Sequence, residues 1–426
     1  MNDTDAGLPA RAAALDLLTA ALSGRTGLDD GLSHPALQAL SPRDRAFARA
    51  VVMATLRRLG PIDRALDAKL QRPPPDRVRN ILRLGAAQAL GLEIAPHAAV
   101  ATSVDLADAQ AGSRRFKGLV NAVLRGLLRE PPKLDDPNDQ APPWLYARWR
   151  AAYGETGADA IVGMVAKEPA TDLTLKDAAM SAALAEDLEA EPLPGGGLRT
   201  ARRGELSTWP GFAEGAWWVQ DAAAAIPARL LYVQPGQSVL DLCAAPGGKT
   251  LQLAATGASV VALDRSAPRL RRVTENLARM GLEAEVVCAD AIAWPDPRTF
   301  DAVLLDAPCS ATGTFRRHPD VLWAAKPGDV ASLAGLQAKM LDAAARRVRP
   351  GGRLVYCVCS LEPEEGEAQI AAFLQRNAAF AIEPAQSGEG GAPAPSLRKD
   401  GTLRILPHHV DGGLDGFYAA RLKRGV

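Results

Sequence analysis

Five cysteines, Cys243, Cys288, Cys309, Cys357 and Cys359, are the residues in this chain whose type and placement point first to chemistry. All lie in the second half, their number is odd, and their spacing matches neither a disulfide framework nor a four-ligand zinc site. Free thiols of this kind belong to a reducing compartment. Cysteine usually serves as a small buried hydrophobe, and that reading suits Cys288 and Cys357. It does not suit Cys309 and Cys359. Each of these stands where an apolar run, Ala302–Leu305 or Arg353–Val358, opens into a polar loop. A thiolate so exposed is a nucleophile. Added to carbon 6 of a cytosine, it would make carbon 5 enamine-like and able to accept a methyl group. A carboxyl group such as Asp306 would stabilise the charge developing on the ring nitrogen. A base would then remove the carbon-5 proton, help that is typically worth ~10²–10⁴-fold. A free thiol ionises near ~8.5 and needs a positive neighbour at neutral pH; Lys249 is the candidate.

The elements that must position these groups are legible around them. The run Ser238–Leu242 reads as a strand, followed by Cys243-Ala244-Ala245-Pro246-Gly247-Gly248-Lys249-Thr250 and then a helix. A glycine turn between strand and helix offers backbone N–H groups to a nucleotide phosphate or to the amino-acid end of S-adenosylmethionine. A phosphate-binding P-loop needs glycine where Cys243 stands, so half its pattern is missing. Acids at successive strand ends favour the second ligand. Val260–Leu263 ends in Asp264, placed for ribose hydroxyls; Ala284–Cys288 leads to Asp290, placed for an adenine amino group; Ala302–Leu305 leads to Asp306. Any one of these acids could be a mere helix cap. Three in succession form a ligand-binding edge.

These motifs resemble the Nop/Sun family of RNA cytosine-C5 methyltransferases. The resemblance rests on Cys243–Lys249, Asp306-Ala307-Pro308-Cys309-Ser310, Tyr356-Cys357-Val358-Cys359-Ser360, the acidic run Glu362–Glu365 and the ending Asp415-Gly416-Phe417-Tyr418. It covers about residues 217–423 and implies a Rossmann-like class I methyltransferase with a mostly parallel sheet. It implies that Cys359 is the nucleophile and that Cys309 assists release of the methylated base. It also implies that Cys243, Ala244, Ala245, Pro246, Gly247, Gly248, Lys249, Asp264, Asp290 and Asp306 hold S-adenosylmethionine. Two positions depart from the family pattern: Val358 replaces a usual threonine, and Leu173-Thr174-Leu175-Lys176 lacks a usual arginine and asparagine.

Ahead of this region, helical spacing runs from Arg11 to Arg129, with Leu15, Leu17, Leu18 and Leu22 on one face and Val51, Val52, Leu56 and Leu59 on another. Ser41-Pro42 reads as a helix start, and Pro73-Pro74-Pro75 and Ala95-Pro96 punctuate further helices. The stretches Asp44–Arg49, Ile81–Gly85, Pro96–Val100 and Gly118–Arg125 resemble the helical RNA-binding module of the NusB family. The expected organisation is an all-α bundle over 1–133, a linker and small α+β insert over 134–215, and the methyltransferase region over 216–426. Such a module ahead of this methyltransferase region resembles the family's bacterial subgroup, which implies a small-subunit ribosomal RNA substrate, and Arg316-Arg317-His318-Pro319-Asp320 adds to that resemblance. Arg316, Arg317 and Arg269 could contact phosphates or the cofactor carboxylate, or could equally be solvated surface arginines.

Charge agrees only in part. The net charge is zero, yet residues 1–133 hold 19 Lys+Arg against 13 Asp+Glu, so the front carries about +6 and the rest about −6. A mildly basic front is compatible with phosphate contacts. The opening Met-Asn-Asp-Thr-Asp is acidic, and no uncharged apolar run approaches ~18–20 residues, so no signal peptide and no membrane span are expected. The expectation is a cytoplasmic, metal-free monomer whose partner is RNA. The acidic run at 362–367 reads as a helix start, His408-His409 as structural, and residues 386–396 as a flexible loop. The rival reading is an antitermination-like RNA-binding scaffold whose methyltransferase fold does not turn over.

Overall fold

The computed structural model describes residues 7–23, 28 and 35–426; the acidic opening at 1–5 lies outside them. The described chain divides into two compact units. The first comprises the chain up to Glu168 together with Phe315–Ala325. It is helical: Leu8–Leu22, Pro42–Arg57, Leu59–Asp67, Asp76–Gly91, Pro96–Asp108, Lys117–Arg129 and Pro143–Val162 are its main helices. Local sequence sets their starts. Ser41 Oγ accepts the Asp44 N–H at 3.1 Å, and Pro42 and Pro96 occupy first-turn positions where no N–H is required. The apolar faces converge on a core that includes Leu15, Leu18, Val51, Val52, Leu56, Ile81, Leu82 and Leu124, all fully buried.

Phe315–Ala325 enters this helical unit from far along the sequence. The Trp323 indole N–H donates to the Leu56 carbonyl at 3.1 Å, Phe315 packs on Trp149, and Asp320 accepts the Leu28 N–H at 3.0 Å. Arg316 is 1% exposed and belongs to this packed segment, which excludes the solvated-surface alternative for it.

The second unit contains Pro169–Thr314 and Lys326–Val426. A small antiparallel sheet is built from β1 (Thr171–Leu175), β2 (Ala190–Leu193), β3 (Gly197–Thr200) and β4 (Trp217–Val219), in the order β2-β3-β1-β4. Gly195 and Gly196 both take φ of +86°, the left-handed backbone that the β2–β3 turn demands. Trp217–Val219, at the start of the region read from the sequence as the methyltransferase, joins the small sheet as an edge strand because it pairs with β1.

The large sheet holds β5 (Ser238–Leu242), β6 (Ser259–Asp264), β7 (Glu285–Cys288), β8 (Phe300–Asp306), β9 (Val348–Val358), β10 (Phe380–Ile382), β11 (Leu403–Ile405) and β12 (Phe417–Arg424). Its order is β10-β12-β9-β8-β5-β6-β7, with β11 also on β12. Strands β5 to β9 are mutually parallel, while β12 runs antiparallel to β9. Alternate residues feed two cores. Val239, Val260, Ala262 and Leu304 face the helices Gly248–Ala255 and Ala267–Met280, whereas Leu240, Leu242, Leu263 and Leu305 face Pro327–Arg347 and Glu367–Arg376. The sheet is therefore a covered, mostly parallel one, and the carboxyl ends of its parallel strands are where a fold of this kind places a ligand.

Residues 386–396 are tied down and do not form the free loop expected. Arg421 pairs with Glu389, and Arg229 donates to the Gly390 carbonyl at 3.0 Å. Among the described residues no helix is long and apolar enough to cross a membrane.

Candidate active site

The glycine turn follows β5, the central parallel strand. Cys243 and Gly247 adopt φ of 63° and 109°, which turns the chain sharply into the helix Gly248–Ala255. Crowding explains the glycines: a Cβ on Gly247 would meet Val273 Cα at 3.3 Å, and one on Gly248 would meet Gln220 at 3.3 Å. The turn is stapled to the neighbouring strand by the Ala244 N–H, which donates to Leu263 O at 3.0 Å, and the Ala245 N–H, which donates to Asp264 Oδ2 at 3.2 Å. Asp264 is buried, and its Oδ1 accepts the Ser266 N–H at 2.9 Å. Arg269 donates to the Ala245 carbonyl at 2.6 Å from a half-exposed position. Asp290 is exposed; one oxygen accepts the Ile292 N–H at 2.7 Å.

Sheet order puts these groups side by side. The ends of β8, β5, β6 and β7 carry Asp306, the glycine turn, Asp264 and Asp290 in that succession. A helix N-terminus flanked by three carboxylates fits S-adenosylmethionine, whose amino-acid end seeks backbone N–H groups and whose ribose and adenine offer donors to carboxylates.

Lys249, in the first turn of the helix, is buried, and its Nζ lies 2.8 Å from Asp306 Oδ2 and 5.2 Å from the centre of the Phe417 ring. Burial alone would lower the ammonium pKa. The charge of Asp306 and its hydrogen bond to Lys249 outweigh that effect and raise it. The other Asp306 oxygen faces the Cys357 thiol at 3.4 Å.

The adjacent ends of β8 and β9 bring Cys309 and Cys359 together, with their Sγ atoms 3.5 Å apart. Both are partly accessible, whereas Cys357 is buried. The hydrogen bond to Cys359, then burial, then the charges of Cys359 and Glu365 push the Cys309 thiol well above its ordinary pKa. Burial, followed by Asp306, raises Cys357 as well. Cys243, beside the same carboxylates, is raised first by burial and then by Asp306. Cys288 was expected in the core but is exposed, because β7 is an edge strand.

Two groups escaped the sequence reading. Asp241 is completely buried within β5, accepts the Thr250 hydroxyl at 2.6 Å, and is raised to about 7 by burial. Glu365 belongs to the run read as a helix start, yet that helix begins at Glu367 and Glu365 is buried against the residues that follow both thiols. The available signal was a serine directly after each cysteine, Ser310 and Ser360. The pair His408-His409 lies elsewhere, with His409 Nδ1 2.9 Å from Ser396 Oγ.

Comparisons agree with this architecture. Residues 228–423 match the family described as 16S rRNA methyltransferase RsmB/F, and residues 8–129 match the NusB family. The ribosomal RNA small subunit methyltransferase B of Vibrio vulnificus is 34% identical over 97% of this chain and 98% of its own. Its namesake from Pseudomonas syringae is 38% identical over 97% and 96% respectively. The crystal structure of PH0851 shares the fold, with a TM-score of 0.79 at 24% identity over 97% of this chain and 98% of that one. The chain therefore belongs to the RsmB/F family of S-adenosylmethionine-dependent rRNA methyltransferases, with a NusB-family region ahead of the methyltransferase region.

Proposed function

We propose that this protein methylates carbon 5 of a cytosine in small-subunit ribosomal RNA and that Cys359 is the covalent nucleophile. The observation that carries the reading is the meeting of two thiols, 3.5 Å apart, at adjacent strand ends beside the Lys249–Asp306 pair. S-adenosylmethionine, when bound, supplies an electrophilic methyl group. The residues suited to hold it are Cys243–Lys249, Asp264, Asp290 and Asp306.

Cys359 sulfur would bond to carbon 6, the 5,6 double bond would open, and carbon 5 would gain the electron density to take the methyl group, the broken S–CH3 bond leaving its electron pair on the donor sulfur as a neutral thioether. Asp306 is the group to hydrogen-bond the ring as charge develops, with Lys249 beside it as a fixed positive charge. Once Cys359 is a thioether its charge is gone. The hydrogen bond and charge that Cys359 exerts on Cys309 are then lost, while burial and Glu365 continue to act on it. Cys309 is then easier to ionise than it was beside the Cys359 thiolate, and it is the base that takes the carbon-5 proton. Those electrons re-form the 5,6 double bond and expel Cys359 as thiolate. The helical region within residues 1–133 is the RNA-binding part, and the chain works in the cytoplasm as a monomer without metal.

The test is covalent trapping. Incubation with S-adenosylmethionine and RNA containing 5-fluorocytosine should yield an adduct that peptide mapping assigns to Cys359. Trapping by Cys359→Ala at the wild-type level would refute the assignment of the nucleophile.

A further inference from the structure

Behind the thiols stands a carboxylate that the steps above do not use. Glu365 is completely buried. Its Oε1 accepts the Ser310 backbone N–H at 2.9 Å and Gln337 Nε2 at 3.0 Å. Its Oε2 accepts the hydroxyls of Ser310 and Ser360, each at 2.5 Å. Ser310 follows Cys309 and Ser360 follows Cys359, so one side chain grips both thiol-bearing loops. The grip is reinforced around it. Gln337 also donates to the Pro308 carbonyl at 2.9 Å, the Tyr356 hydroxyl donates to the Glu365 carbonyl at 2.6 Å, and the two serine hydroxyls lie 3.1 Å apart.

The donor set selects a carboxylate. Four donors converge on two oxygens, and a buried charge is tolerable when its lone pairs are occupied in this way. A glutamine would present an NH₂ group to donors at one end, losing part of the network. The carboxylate also sits close enough to Cys309 to contribute to the retention of its proton.

We propose that Glu365 is a positioning residue for methyl transfer, holding the Cys309 and Cys359 loops at the spacing that attack and release require. The proposal rests on the two-thiol reading above and deepens it. A small misplacement of reacting groups costs on the order of 100-fold in rate. Glu365→Gln should therefore lower kcat by about 10–100-fold, with KM for RNA within about twofold.

A second readout needs no substrate. Alkylation with iodoacetamide between pH 6 and 9, followed by peptide mass spectrometry, reports each thiol separately. In the wild type, Cys309 should react only toward the alkaline end; in Glu365→Gln its labelling should begin at lower pH. Glu365→Asp, with a carboxylate one methylene shorter, should recover part of both the rate and the Cys309 profile. The double variant Ser310→Ala/Ser360→Ala keeps the charge and removes the hydroxyl grip. It should lose kcat while Cys309 stays protected, and it decides the matter if Glu365→Gln does not fold. A folded Glu365→Gln with wild-type kcat and a wild-type Cys309 profile would overturn the proposal, as would wild-type kcat in the serine double variant. Adduct formation through a residue other than Cys359 would instead overturn the functional reading, leaving the alkylation result to stand by itself.

Discussion

Lys249 Nζ stands 2.8 Å from Asp306 Oδ2, joining the first turn of one helix to the end of the neighbouring strand β8. This contact links the glycine turn to the thiols, because Asp306 also faces Cys357 and the chain runs on from Asp306 to Cys309. Removing the cation leaves the Asp306 carboxylate without its partner at a partly buried position. Lys249→Met should reduce methyl transfer by about 10²–10³-fold, the scale for one preorganised electrostatic group. It should also destabilise the fold by about 1–3 kcal/mol, less than for a wholly buried pair because the Asp306 side chain is 30% exposed. Single-turnover rates and urea midpoints measure both; a variant with full activity would remove Lys249 from the mechanism.

Cys309 and Cys359 should fail in different ways. Without Cys359 no bond to the base forms, so turnover and adduct should both disappear. Without Cys309 the bond forms but release is slow. Cys309→Ala mixed with unmodified substrate RNA and S-adenosylmethionine should therefore accumulate a protein–RNA species that survives denaturing electrophoresis. Equal behaviour of the two alanine variants would show that the thiols do not divide the work as proposed.

Asp241 gives a pH signature. Burial raises it from 3.8 to about 7, so between these values the folded chain binds a proton that the unfolded chain does not. Its contribution to stability falls as pH rises through that window, and the penalty persists above it. Asp241→Asn removes the penalty. Relative to wild type, the variant should gain about 1–3 kcal/mol on passing from pH 5 to pH 8, measured by urea unfolding at each pH. A constant difference between variant and wild type across that range would contradict the assignment.

Gly313 tests the packing of the thiol loop. Its N–H donates to the Cys359 carbonyl at 3.0 Å, and a Cβ there would lie 2.1 Å from the Gly416 carbonyl oxygen and 2.9 Å from the Cys359 carbonyl oxygen. Both obstacles are backbone, so the loops must move. Gly313→Ala should cost about 1–3 kcal/mol and lower kcat more than it changes KM for RNA. Unchanged kinetics would mean that the loop spacing is not critical.

Apolar runs marked strands β5, β6, β7, β8 and β9, and the residue types at their ends pointed to the chemistry. The helical front was equally readable, since proline and serine at helix starts and periodic leucines act over one or two turns. Both kinds of signal are local, and so the thiols, the acids and the glycine turn could be recognised from neighbouring residues.

Long-range packing decided the rest. The approach of two sulfurs fifty residues apart depends on β8 lying beside β9. Phe315–Ala325 docks in the helical unit because Trp323, Phe315 and Asp320 find partners there, and Cys288 is exposed because β7 is the edge of the sheet among the described strands. Glu365 looked like one more acid at a helix start. Its burial and its four donors come from segments that local periodicity cannot bring together, and for a buried charge those partners decide what it does.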